Sequence, residues 1–73
     1  MDSVTHRKLQ RSAVLLLEVR RELAIAKKFE HKRSKVYRAL TLIFDDAESS
    51  LLRIGGIDQE AIPEDMREEL LNI

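Results

Sequence analysis

The chain is predicted to be all-α: an antiparallel, coiled-coil-like helical hairpin over residues about 4–54, followed by a short C-terminal helix. Three observations predict this. First, Leu9, Leu16, Leu23, Tyr37, Phe44 and Leu51 fall on one rung of a seven-residue ladder, with Val19, Leu40, Ala47 and Ile54 on the other. Second, no glycine or proline interrupts the chain before Gly55. Third, Leu, Ala, Glu, Arg and Lys dominate the composition, only three residues are aromatic, and strand-like alternation never persists.

Taken in order, the first helix is expected over 4–30, with Asp2 or Ser3 as its N-cap. The second is expected over 34–54. Ser34 suits its N-cap, and Gly55-Gly56 reads as its stop, because glycine takes the left-handed conformation that ends helices. A third, short helix is expected over 63–72. Pro63 suits a first helical position, Glu64 and Asp65 suit the positive end of the dipole, and Ile62, Met66, Leu70 and Ile73 share one side. The whole, residues 1–73, is read as one small helical domain.

The hairpin itself is inferred from the middle of the ladder, where Glu30 and Arg33 replace apolar residues inside a polar stretch. Folding the ladder there, so that paired numbers sum to 63, sets Ala26 against Tyr37, Leu23 against Leu40 and Val19 against Phe44. It also sets Leu16 against Ala47, Ser12 against Leu51 and Leu9 against Ile54. Small faces large at most rungs, as interdigitating core layers require. The same pairing suits two copies of one unbroken rod of roughly 75 Å, the domain-swapped form of two hairpins. The missing Gly or Pro at 29–34 favours the rod. Ser34 and the polar core positions favour the hairpin, which is the reading adopted.

The neighbouring row, Leu15, Glu22, Phe29, Val36, Ile43 and Ser50, is also largely apolar. A seam three rows wide belongs to a bundle of three or four helices, so a four-helix-type bundle completed by oligomerisation is expected. The second pair of helices would come from another copy, as a homodimer, or from an obligate protein partner. The seam is assigned to Leu9, Leu16, Val19, Leu23, Tyr37, Leu40, Phe44, Leu51 and Ile54. Leu17, Leu52, Met66, Leu70 and Leu71 are the candidate partner surface. Val14, Leu17 and Leu52 crowd the end away from the hairpin tip, over which the C-terminal helix is expected to fold back unless a partner occupies it.

With 73 residues and no cysteine, the chain has neither disulfides nor the ligands of a structural zinc site to supplement a small core. Its longest apolar run, Ala13 to Leu17, is far short of the about 20 residues of a membrane span. A soluble, cytoplasmic protein with no membrane association is expected.

Zero net charge conceals a division. Residues 1–38 carry eleven Lys/Arg and four Asp/Glu, whereas residues 39–73 carry two and nine. This is read first as two halves lying against each other. The densest cationic stretch, Lys27, Lys28, Lys32, Arg33, Lys35 and Arg38, with His31 and Tyr37 among them, could instead meet nucleic-acid phosphates or an acidic partner. Asp45, Asp46 and Glu48 read as a solvated or salt-bridged face, because two of them diverge by about 100° on a helix. His6 and His31 read as isolated and exposed. No Ser/His/Asp or Cys/His set and no glycine-rich phosphate loop occurs, so no catalytic, cofactor-binding or metal-binding residues are assigned. The expected function is that of a small non-enzymatic adaptor, assembly factor or regulatory subunit acting through its apolar face. The alternative is an RNA- or DNA-binding regulator using residues 27–38.

Overall fold

The computed structural model describes the backbone of residues 2–71 and the side chains of residues 2–68. Two long helices, α1 (Ser3–Lys28) and α2 (Lys35–Ile57), pack antiparallel, and a 3-10 turn (Gln59–Ala61) leads into α3 (Glu64–Leu71). The hairpin is thus formed within one chain. Each long helix starts on a side-chain cap: the Asp2 carboxylate accepts from the Thr5 amide at 2.8 Å, and the Ser34 hydroxyl accepts from the Tyr37 amide at 3.0 Å. That Asp2 interaction, with the Thr5 hydroxyl adding a second bond, holds the Asp2 carboxyl below its ordinary pKa.

The turn needs neither Gly nor Pro. α1 tightens at its last turn, where the Phe29 amide donates to the Ala26 carbonyl and the Glu30 amide to the Lys27 carbonyl. Ser34 then takes extended dihedrals to start α2, so the first helix ends at Lys28, two residues before the expected boundary.

Cross-helix contacts set the register. The Arg20 guanidinium lies 5.0 Å from the Phe44 ring centroid, and the Lys27 ammonium lies 5.1 Å from the Tyr37 centroid and 5.0 Å from that of Phe44. Arg20 Nε also donates to Glu48 Oε1 at 3.0 Å. Paired numbers in the contacts Arg20–Phe44 and Lys27–Tyr37 sum to 64, one more than the ladder implied. The face of α1 in contact with α2 is therefore centred on Ala13, Leu17, Arg20 and Lys27 rather than on Ser12, Leu16, Val19 and Ala26. Counting apolar residues alone missed this, because the aliphatic stems and charged ends of Arg20 and Lys27 serve as seam residues against aromatic rings.

Two assignments change accordingly. Leu17, placed on a partner surface by its sequence position, is 0% exposed and is the largest α1 side chain in the core. Val19, placed in the seam, is 44% exposed. Of the remaining seam residues, Leu51 and Ile54 are buried, Leu9 and Leu16 pack partly buried against the core, and Leu23, Tyr37, Leu40 and Phe44 are half-buried.

The densest packing is at the open end of the hairpin, where Ala13, Leu17, Leu51, Ile54, Ala61 and Ile62 form the core and Met66 packs against it. The C-terminal segment folds back here, as expected, but the 3-10 turn and Ile62 do the covering rather than the body of α3. Gly55-Gly56 does not stop α2, which continues to Ile57, and no glycine among the described residues has positive φ. Gly55 is needed for proximity. A Cβ there would lie 2.9 Å from Ile62 Cδ1, so its absence lets Ile62 seat on the helix. The helix ends instead at Asp58, whose extended backbone turns the chain and whose carboxylate accepts from the Glu60 amide at 3.2 Å. The Pro63 carbonyl accepts from the Met66 and Arg67 amides, which places Pro63 just outside α3 rather than in its first position. Leu70, Leu71 and Ile73 lie outside the residues whose side chains are described.

Candidate interaction surfaces

One side of the hairpin is apolar and uncovered. Moving one residue toward the N-terminus from the contact positions Arg20 and Lys27 gives Val19 and Ala26, and from Tyr37 and Phe44 it gives Val36 and Ile43. Because the helices are antiparallel and both right-handed, a one-residue step of about 100° turns toward the same side in each. Leu15 and Val19 on α1 thus share a face with Val36 and Ile43 on α2, and each is about half exposed. Leu23 and Leu40 are half-buried and Ala47 is buried. This is the third row of the heptad pattern, left open because the C-terminal segment covers the other side of the base, over Leu17 and Gly55. Phe29 extends the same row to the tip and is 83% exposed. Leu52, also exposed, lies on the opposite side of α2 and is separate from this face.

The tip is cationic. Six Lys/Arg and one carboxylate, Glu30, lie between Lys27 and Arg38. Lys27 is held over the Tyr37 and Phe44 rings, whereas Lys28, Lys32, Arg33, Lys35 and Arg38 are exposed and take no part in the ion pairs formed among the described residues. An open groove of about 310 Å³ beside them is lined by Ala24, Lys27, Lys28, Glu30, Lys32, Tyr37 and Phe44. His31 is exposed, and its Nδ1 accepts from the Arg33 amide at 3.1 Å, an arrangement that orders the loop.

At the base, His6 is not isolated. Its Nδ1 hydrogen-bonds the Asp58 carboxylate, tying the first turn of α1 to the end of α2. This bond, with the attraction of the imidazole behind it, holds the Asp58 carboxyl below its ordinary pKa. The two residues are 52 apart in sequence, and no short-range spacing announced them. Of the acidic group on α2, Glu48 is taken by Arg20, while Asp45 and Asp46 face outward. Among the described residues no three His, Asp or Glu side chains gather as a metal site requires. None of their helices is long and apolar enough to cross a membrane.

No protein-family model, curated protein or solved structure matches this chain.

Proposed function

We propose that the chain is a small non-enzymatic helical interaction module, an adaptor, assembly factor or regulatory subunit, that works by burying the face formed by Leu15, Val19, Val36 and Ile43. The observation that carries this reading is that four large aliphatic side chains, two per helix, stand about half exposed on one side of a hairpin whose own core lies elsewhere. Contiguous apolar surface of this kind, bordered by charge, is characteristic of protein contact sites. The test is a Val19→Lys, Ile43→Lys double variant, whose changes fall on exposed positions and leave the core intact. The parent should either exceed the 8.5 kDa chain mass in light scattering over a hundredfold concentration range or bind a hydrophobic fluorescent dye. The variant should do neither while keeping its helicity. A parent that stays monomeric and takes up no dye refutes the reading.

The basic tip supports a second reading, binding of RNA or DNA without base-specific recognition. Its observation is the set of exposed cations at one end of the molecule beside a single tyrosine, too few rings for a stacking platform. Retention on nucleic acid that falls steeply with salt and vanishes on replacing Lys32, Arg33 and Lys35 with Glu would select it. Indifference to both would remove it.

A further inference from the structure

We propose that the occupant of the apolar face is a second copy of this chain, running tip to base across a two-fold axis near the middle of the hairpin. This rests on reading the face as a contact surface and names what covers it. Size agrees: the whole chain measures 45 × 20 × 16 Å, so its broad side has a footprint on the order of 900 Å², close to the roughly 800 Å² per partner of a standard stable interface. A second two-helix face laid on the first makes a four-helix bundle, in which the half-exposed third row becomes core.

Charge selects the direction. The tip holds six cations and one carboxylate, while the rest of the chain holds seven cations and twelve carboxylates, among them Asp58, Glu60, Glu64, Asp65 and Glu68 beyond the end of α2. Placing two tips together would crowd the cations of both copies. Running tip to base keeps the two cationic tips a molecule's length apart, about 45 Å.

The edges of the face agree in detail. The observed register, with Arg20 against Phe44 and Lys27 against Tyr37, sets Leu15 of α1 level with Ser49 of α2. A two-fold axis at that level gives full overlap of the two hairpins. It brings Lys8 level with Glu22 of the second copy, and Arg11 and Asp46 within one residue of Glu18 and Arg53, all of them exposed in the single hairpin. It also brings Val4 within one residue of Ile25 and sets Leu15 beside its own counterpart. In the tips-together arrangement the same register places Arg11 level with Arg53 and Glu18 with Asp46, like against like. Tip to base pairs Lys8 with Glu22 as well, whereas tips together leaves Lys8 level with Gly56 and Glu22 with Leu42.

The experiment combines mass, distance and charge reversal on the full chain. Sedimentation equilibrium should show twice the chain mass. The chain has no cysteine, so Lys32→Cys takes a single dye at the tip. Energy transfer between donor- and acceptor-labelled copies should report tips separated by about the 45 Å length of the molecule. Arg11→Glu should weaken self-association about tenfold, since symmetry breaks the contact twice, and Glu18→Arg in the same chain should restore it. Helicity measured on each variant separates lost association from lost folding. Near-complete energy transfer overturns the proposal in favour of tips together, and an Arg11→Glu, Glu18→Arg variant no better than Arg11→Glu overturns the register. A folded, dye-binding monomer overturns the second copy while leaving the interaction module standing. A monomer that binds no dye fails both, and salt-sensitive retention of that monomer on RNA would point to the basic tip.

Discussion

Truncating Leu17 should unfold much of this protein, and truncating Val19, two residues away, should barely disturb it. Leu17 has no exposed surface and packs with Ala13, Leu51, Ile54, Ala61 and Ile62, so it joins both helices and the C-terminal segment. Leu17→Ala removes about three methyl or methylene equivalents from a site closed on all sides. Buried Leu→Ala changes of this kind cost about 2.7–5 kcal/mol, the larger values where the cavity cannot collapse. A chain of 73 residues has a total stability of roughly 4–11 kcal/mol. At about 4–8 °C per kcal/mol for a domain of this size, the melting temperature should drop by at least about 11 °C. Val19→Ala removes half-exposed surface and should cost under about 1 kcal/mol. Melting followed by circular dichroism at the lowest workable concentration isolates the fold from any association through Val19. Equal losses for the two variants, or a larger loss for Val19→Ala, would refute the observed rotation of α1 and restore the register read from the ladder.

Gly56 sits in helical backbone with open space where a Cβ would stand, so Gly56→Ala should stabilise by about 0.5–1 kcal/mol; Gly55→Ala should gain less, because Ile62 must first give way, and denaturant midpoints will rank the two. Glu48→Gln should cost about 1 kcal/mol by chemical denaturation, since the bond from Arg20 Nε, on a side chain only 13% exposed, keeps an acceptor oxygen but loses the carboxylate's charge. Asp58 has a folded pKa below its unfolded value, so its contribution is present above the unfolded value of about 4 and is lost as pH falls through the folded one. Asp58→Asn should therefore flatten the decline in melting temperature below about pH 4, and a decline as steep as the parent's would show that the His6 contact contributes nothing there.

The sequence made the helices and the hairpin legible because these follow from short-range rules: the seven-residue period, the Asp2 and Ser34 caps, and a polar centre to the ladder. Three features were not legible, each for a physical reason. The rotation of α1 depends on Arg20 and Lys27 acting as seam residues, and a pattern of apolar positions assigns long cations to the surface. Gly55 carried two meanings, a helix stop or a close approach, and only the distant Ile62 decides between them. The His6–Asp58 contact joins residues at opposite ends of the fold in sequence, where only the closed hairpin brings them together. Of the candidate surfaces, the third heptad row was visible as an excess of apolar positions. Its openness was not, because that depends on which side of the base the C-terminal segment covers.

The division of charge between the halves of the sequence takes a different meaning in the folded chain. If its purpose were to hold α1 against α2, the cations of residues 1–38 would face the carboxylates of residues 39–73 along the seam. Arg20 does so, bonded to Glu48, and His6 meets Asp58 at the base. The cations of Lys28–Arg38 do not: they gather at the tip, at the far end of a 45 Å molecule from Glu60, Glu64 and Asp65. Charge sorted by end rather than across a seam stabilises little within one hairpin, since surface interactions are screened beyond about 10 Å. Between two hairpins laid tip to base the cationic tips stay a molecule's length apart, while Arg11 and Glu18 of the two copies meet twice. The Arg11→Glu and Glu18→Arg exchange tests complementarity between copies directly, because both residues are exposed and neither contributes to the seam within a single chain.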